Sequence, residues 1–270
     1  MRLLLHGGEA RSLGGPGLRA PRTARALREM GISARAATLA DSTDPAVPDA
    51  SEAMDVAEIA EPLVHLFNVW PPDSALSALR ALRRAGKRVV FSPIYLDLSG
   101  RPFWEDRLLH SETGPDATGL ARARRHLAGR GRLHEIVPGY HAMLREMLAL
   151  ADHVIFLSAA ERAALERIGA RVEPERASLV HNPVEAALWQ GGDPALFRAA
   201  HPGSDYVVQT GRIEPRKNQL LAARAVQGTG LRLALIGHEG HPAYAARVAR
   251  EGGAALIRPG RLEPHGPMLR

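Results

Sequence analysis

The stretch that most constrains this chain runs from Asp205 to Asn218 and reads DYVVQTGRIEPRKN. The apolar run Tyr206–Val208 predicts a short buried strand, and an Ala- and Leu-rich helical pattern follows Asn218. Gly211 and several cationic side chains lie between these two elements. A glycine lets a ligand approach the backbone, a helix N-terminus favours an anion and cations supply charge. The stretch therefore predicts a phosphate site at the carboxyl end of a strand.

The scarcity of lysine makes the position of each lysine informative. The chain has two lysines, Lys87 and Lys217, and 33 arginines. One of the two lysines therefore lies in this loop, beside Arg212 and Arg216. The alternative interpretation is an exposed turn between a strand and a helix, whose charges are only solvated.

Residues 211–218, GRIEPRKN, resemble the donor-diphosphate loop of family 4 retaining glycosyltransferases of the GT-B fold. In that family a strand opens the second domain and leads into the pattern Gly-Arg-hydrophobic-x-x-x-Lys. The resemblance implies that Gly211, Arg212 and Lys217 bind the diphosphate of a nucleotide sugar. It also implies that Arg212 and Lys217 are the catalytic residues.

The start of the chain predicts a β-α-β unit. Residues 2–5 form a strand, residues 7–17 a glycine-rich loop, residues 18–30 a helix, and residues 32–39 the next strand. The loop does not match the Gly-x-Gly-x-x-Gly dinucleotide pattern. The family resemblance implies that Gly14 and Gly15 lie near the donor phosphates, and a simple flexible turn is the alternative.

Polar residues follow the next two predicted strands, over 62–69 and 88–91. Because ligands of open α/β sheets bind at the carboxyl ends of strands, Asn68, Tyr95 and Asp97 are candidates for contact with an acceptor. The family often carries a histidine near the end of the second of these strands. This chain has Ser92 and Pro93 there, so that role is not transferred, and turn residues packed on the sheet are the alternative.

The middle of the chain predicts an irregular segment and then regular structure. Residues 98–136 contain scattered histidines without the spacing of a metal site, so we predict no metal. An amphipathic helix follows over 138–151, and Ser158 to Glu161 reads as a capping box. Asn182-Pro183-Val184 resembles the segment that precedes the linker between the two domains of the family.

The expected fold class is α/β, with two Rossmann-like domains of the GT-B type and the second incomplete. The boundaries are an acceptor-side domain over residues 1–185, a linker over 186–204 and a partial donor nucleotide-binding domain over 205–270. The family's second domain usually continues and carries paired glutamates spaced eight apart that contact the donor. They are expected to be missing here, which leaves the activity of this chain open.

Charge and composition limit the classes of partner. The net charge is +6 and the isoelectric point about 10.4, but the arginines are spread along the chain without a nucleic-acid motif, so we predict no nucleic-acid partner. The charge also favours peripheral contact with an anionic membrane surface, at its inner face. There is no cysteine and no run of 18 apolar residues, and we expect a cytoplasmic protein.

The family resemblance thus implies a hexosyl- or related glycosyltransferase of polysaccharide biosynthesis that acts with retention and without metal or cofactor. The co-substrate would be a nucleotide sugar, and the acceptor a glycan, a lipid-linked molecule or a small molecule. One alternative is another α/β sugar-nucleotide enzyme, such as an epimerase or dehydrogenase, although no Tyr-x-x-x-Lys pair is present. The other is a non-catalytic nucleotide-binding or interaction protein.

Overall fold

The computed structural model describes residues 1–6, 15–39, 53–97, 139–183, 193–203 and 205–262. These residues divide into two compact units, the first ending at Asn182 and the second beginning at Pro183. Each unit contains one sheet of parallel strands with helices between the strands. None of the described helices combines the length and the apolar character that crossing a membrane requires.

The first unit contains a seven-stranded parallel sheet in the order β3-β2-β1-β4-β5-β6-β7. Its central strands are largely apolar, as expected for parallel strands covered on both faces. The strands are β1 (Arg2–Leu5), β2 (Arg35–Leu39), β3 (Ala53–Met54), β4 (Leu63–Phe67), β5 (Arg88–Ser92), β6 (His153–Phe156) and β7 (Ala177–Leu179).

Within the described residues, four helices connect these strands: α1 (Gly15–Glu29), α2 (Pro72–Arg84), α3 (Tyr140–Leu150) and α4 (Ala159–Arg167). Helix α1 packs its alanines Ala20 and Ala24 against Leu3, Leu5 and Phe67, all of them buried. The small side chains let the helix approach the sheet closely. The order reverses between β1 and β4, so the carboxyl ends of these strands lie at the position where open α/β sheets bind ligands.

The second unit contains a three-stranded parallel sheet in the order β10-β9-β8. Its apolar core comprises Ile213, Ala223, Val226, Leu233, Leu235, Ala245 and Val248. The elements are α5 (Pro194–Ala200), β8 (Tyr206–Thr210), α6 (Gln219–Ala225), β9 (Arg232–Ile236), α7 (Pro242–Gly252) and β10 (Leu256–Gly260). Strand β8 pairs with β9 alone among the described strands, and its Val207 and Val208 are about half exposed.

Several elements differ from their predicted bounds. Helix α1 begins at Gly15, three residues before the predicted start, and strand β3 lies between the predicted strands over 32–39 and 62–69, where no strand was predicted. Helix α5 lies in the range predicted as a linker, and its Phe197 packs on Ala234 and Ile257 of the second sheet. The domain boundaries themselves stay a prediction.

Candidate functional site

The loop after strand β8, residues 211–218, is the predicted diphosphate loop, and it joins the sheet through two glycines. The Gly211 nitrogen donates to the Ile236 carbonyl oxygen at 2.8 Å. At Gly237, where φ is +150°, an added Cβ would lie 2.1 Å from the Gly211 carbonyl oxygen. No other residue type fits at this position, because any side chain would overlap the neighbouring backbone. The ends of β8 and β9 therefore touch directly below the loop.

Two glutamine side chains fix the backbone of the diphosphate loop. The buried Gln219 amide donates from Nε2 to the Arg212 carbonyl at 2.8 Å, and its Oε1 accepts from the Glu214 nitrogen at 3.3 Å. Gln209, on strand β8, donates from Nε2 to the Lys217 carbonyl at 2.8 Å. Because both ends of the cationic segment are held by amides, its geometry is set before any ligand binds.

The charged side chains of this loop centre on Glu214, which is 0% exposed. Arg216 donates to Glu214 Oε1 from Nε at 3.1 Å and from one terminal nitrogen at 2.7 Å. The Nε of Arg212 lies 3.5 Å from Glu214 Oε2. About a third of the Arg212 side chain and a quarter of the Arg216 side chain remain exposed.

Lys217 differs from the two arginines because no acidic side chain of the described residues pairs with it. Its side chain is exposed and folds towards Gly211, with Cε 3.8 Å from where a Cβ of that glycine would lie. The loop therefore presents three cations against one carboxylate. An excess of positive charge on a rigid backbone is suited to binding an anion such as a diphosphate.

The helix after the loop contributes less positive charge to the site than the sequence indicated. A 3-10 turn over Pro215–Lys217 comes first, and α6 begins only at Gln219. Asn218 between them adopts the left-handed conformation, with φ 53° and ψ 36°. Helix α6 has seven residues, so the positive charge of this site comes from its side chains.

The acceptor-side candidates follow the adjacent strands β4 and β5 of the first unit. Asn68 is buried, has φ 78° and donates from Nδ2 to the Trp70 carbonyl at 2.9 Å, so its amide shapes its own loop. Burial raises the pKa of Tyr95 to about 12; Asp97 adds to this shift and Arg167 opposes it. Asp97 pairs with Arg167 at 3.2 Å. The structure thus brings Asn68 and Tyr95 to neighbouring strand ends.

Glu161 of helix α4 connects the ends of β5 and β6, which the sequence did not indicate. Its carboxylate accepts from the Tyr95 nitrogen at 2.6 Å and from the Leu157 nitrogen at 2.5 Å. Of the predicted capping box only half forms: Ser158 Oγ accepts from the Glu161 nitrogen at 3.1 Å, while the Glu161 carboxylate reaches the two loops instead. Burial raises the pKa of Glu161, opposed by these two N–H donors and by Arg19.

Arg19 and His65 are further polar groups near these strand ends. The Arg19 guanidinium lies 5.6 Å from the centre of the Phe67 ring, and one of its terminal nitrogens is buried without a hydrogen-bond partner in the described structure. His65 contacts Ser92 Oγ through Nε2 at 2.8 Å. Burial lowers the pKa of His65 to about 3, and the charge of Arg19 contributes to that shift.

The remaining site predictions are left largely open by the structure. Gly14 lies outside the described residues, and Gly15 is the first residue of α1. In the described parts of the chain no three His, Asp or Glu side chains cluster as metal ligands would. The absence of a metal stays a prediction.

No protein family model matches the sequence, and no curated protein sequence matches it. Solved structures do match. Sucrose-phosphate synthase from Thermosynechococcus elongatus has a TM-score of 0.62 and 16% identity, with 97% of this chain and 71% of that chain covered. Anabaena HepE in complex with UDP and glucose has a TM-score of 0.58 and 16% identity, with 97% and 70% covered.

The lipopolysaccharide outer core galactosyltransferase WaaB also matches, with a TM-score of 0.51, 15% identity and 97% and 69% of the two chains covered. The chain therefore spans about 70% of the length of the solved structures. At this level of identity the likeness establishes the fold. The fold class is α/β with Rossmann-like units of the GT-B type, as the sequence predicted.

Proposed function

We propose that the chain is a glycosyltransferase that takes a sugar from a nucleotide-diphosphate donor. The GT-B fold supports this proposal, because the galactosyltransferase WaaB is among the solved structures that match the chain. The observation that carries it is the diphosphate loop: Arg212, Arg216 and Lys217 lie on a backbone that Gln209 and Gln219 hold rigid. The proposed role of the loop is to bind the diphosphate of the donor.

The cations of the loop would act on the leaving group. When the bond between the sugar and the diphosphate breaks, negative charge develops on the diphosphate oxygens. Arg212 and Lys217 would stabilise that charge, and fixed charges need no reorganisation during the reaction. By comparison with the removal of an oxyanion-hole donor, the loss of one cation would raise the barrier by roughly 3 kcal/mol. In this mechanism the cations take the place of a metal ion.

The donor and acceptor are also matters of proposal. HepE is described in complex with UDP-glucose, which makes a UDP-hexose the first donor to test on this chain. Retention at the sugar carbon, and a glycan, lipid-linked or small-molecule acceptor of polysaccharide biosynthesis, follow from the family resemblance of residues 211–218. Asn68, Tyr95 and Asp97 are the proposed acceptor side, since they follow neighbouring strands. A cytoplasmic location and peripheral membrane contact stay predictions from composition and charge.

Calorimetric titration of the full chain with UDP, GDP and ADP tests the proposal. We expect one of these nucleotides to bind, and the Arg212→Ala, Lys217→Ala double variant to lose at least 100-fold in affinity, because two charge-assisted contacts are removed. The matched control is Arg250→Ala, which removes an exposed cation of helix α7 in the same unit. It should bind as the wild type does.

Two results would contradict the proposal. If no nucleoside diphosphate binds the folded wild type, the loop is not a donor site. If the double variant binds as tightly as Arg250→Ala, the diphosphate lies elsewhere. Where binding is confirmed, transfer from UDP-glucose to an acceptor distinguishes the enzyme from a nucleotide-binding protein without activity, and NMR of the product's anomeric carbon reports retention.

A further inference from the structure

A buried carboxylate lies in the middle of the cations that would bind the diphosphate. Glu214 is 0% exposed, and burying an ionised carboxylate is costly unless charged partners surround it. Arg216 supplies two hydrogen bonds to one carboxylate oxygen, at 2.7 and 3.1 Å, and Arg212 approaches the other oxygen at 3.5 Å. Each oxygen of Glu214 therefore faces a different arginine.

The contacts with Glu214 use one edge of each guanidinium. Arg216 is bound through Nε and one terminal nitrogen, and Arg212 approaches through Nε. A guanidinium has five N–H groups in a planar fork, so the terminal nitrogens of Arg212 stay available for a second anion. Among the described residues, Arg212 makes no other ion pair.

The position of the carboxylate is itself fixed. The Glu214 nitrogen donates to Gln219, whose amide also holds the Arg212 carbonyl. The neighbouring turn closes over the same groups, since a Cβ on Gly240 would lie 3.4 Å from both Arg212 Cβ and Glu214 Oε2. The backbone that carries the carboxylate is thus held by Gln219, and the turn at Gly240 packs against one carboxylate oxygen.

Simple electrostatics predicts that such a carboxylate weakens binding of a diphosphate, because it lowers the positive charge of the loop. We propose the opposite: Glu214 is a positioning residue that strengthens binding, because it holds the guanidinium groups of Arg212 and Arg216 in the orientation that a diphosphate needs. The gain comes from side-chain order that is already present before the ligand binds. This inference rests on the proposed function. If Glu214 positions the arginines, removing its charge weakens diphosphate binding; if it only lowers the positive charge of the loop, removing it strengthens binding.

The chain offers a matched control for the removal of this charge. Glu251 of helix α7 also pairs with two arginines, Arg224 at 2.5 Å and Arg247 at 2.9 Å, within the same unit. Those pairs lie on helices α6 and α7, away from the diphosphate loop. Glu251→Gln therefore changes the net charge of the unit as Glu214→Gln does, without affecting the proposed site.

The test is calorimetric titration of the full chain with UDP at constant ionic strength, for the wild type, Glu214→Gln and Glu251→Gln. We expect Glu214→Gln to bind UDP about tenfold more weakly, as the loss of an ordered charge-assisted contact predicts. Glu251→Gln should bind as the wild type does. Arginine Nε–H resonances in NMR should show the Arg216 proton less protected from exchange in Glu214→Gln than in the wild type, with amide resonances outside residues 211–219 unchanged.

The outcomes distinguish a failure of the proposed function from a failure of the positioning role of Glu214. If the folded wild type binds none of UDP, GDP and ADP, the proposed function fails and this inference fails with it. If the wild type binds UDP and Glu214→Gln binds equally or more tightly, only the positioning role is overturned. Should Glu214→Gln fail to fold, the wild-type NMR titration decides: UDP must shift the Nε resonances of Arg212 and Arg216, and unchanged resonances at saturation would overturn the inference.

Discussion

Glu161 and Glu214 are both buried glutamates beside the carboxyl ends of parallel strands, yet their partners differ. Glu161, in the first unit, accepts two backbone N–H groups, from Tyr95 and Leu157. Glu214, in the second unit, accepts from the side chain of Arg216 and approaches Arg212. The first carboxylate joins two loops, and the second holds two cations.

The difference shows how one residue type serves two purposes. Backbone donors cannot leave their place without a loop moving, so Glu161 fixes the shape of the strand ends in the first unit. Guanidinium donors have N–H groups to spare, so Glu214 can order the arginines and still leave them open to a ligand. We therefore expect removal of the Glu161 carboxylate to change stability first, and removal of the Glu214 charge to change binding first.

The largest expected effect is a loss of stability in the second unit. Gly237→Ala would place a Cβ 2.1 Å from the Gly211 carbonyl oxygen, so the ends of β8 and β9 must separate. We expect a loss of about 4 kcal/mol in the free energy of unfolding of the second unit. Urea denaturation followed by circular dichroism measures it.

Gly228→Ala is the control for Gly237→Ala. Gly228 also has a positive φ, +72°, but a Cβ there meets nothing within 4 Å. Only backbone strain remains, which corresponds to about 1 kcal/mol. Equal losses in the two glycine variants would show that the contact between Gly237 and Gly211 is not tight.

Glu161→Ala should destabilise the first unit by about 3 kcal/mol, because the buried nitrogens of Tyr95 and Leu157 lose their acceptor. Denaturation with urea at pH 7 gives the value. Glu166→Ala, which removes one carboxylate of a surface pair with Arg162 on the same helix, is the control and should change little. A loss no larger than that of the control would contradict the role of Glu161.

The pKa of Glu161 determines the direction in which its contribution to stability changes with pH. Because burial raises that pKa, the folded state keeps its proton at a higher pH than the unfolded chain does. The contribution of Glu161 to stability therefore falls as the pH rises above its unfolded pKa. Between pH 4 and 7, the unfolding free energy of the wild type should therefore fall relative to that of Glu161→Gln as the pH rises.

His65 gives the smallest of these effects, and its pH dependence has the opposite sign. Burial lowers its pKa from 6.5 to about 3, so between these values the unfolded state binds the proton and the folded state does not. The first unit should lose about 2 kcal/mol between pH 7.5 and pH 5 from this group. Denaturation of the wild type and His65→Leu at both values measures it, and parallel losses would contradict the assignment.

The sequence predicted most of the strands because each has its own local pattern. The run from Leu63 to Phe67 is apolar except for His65, as expected for a strand buried on both faces. It did not predict β3, since two residues carry no periodicity. The capping box at Ser158 was only half right, because the Glu161 carboxylate accepts instead from the nearby Leu157 nitrogen and from the Tyr95 nitrogen, which is distant in sequence.

In the loop at residues 211–218, too, the sequence predicted some of the site residues and not others. Its glycine and cations were evident from residue types, and Arg212 and Lys217 were named as site residues from them. Gln209 and Gln219 were not, because an amide that binds a carbonyl eight or seven residues away has no sequence signal of its own. The burial of Glu214 had no sequence signal either, since the turn at Gly240, which packs against its carboxylate, is distant in sequence.

By itself the sequence determined the α/β class, the alternation of strands and helices and the cationic loop after β8, because periodicity and residue type are local properties. Only the tertiary structure decided which strands are neighbours, that Glu161 joins the ends of β5 and β6, and that Glu214 lies buried between two arginines. Burial and pairing of a charge depend on groups brought together from distant parts of the chain, and no local pattern records them.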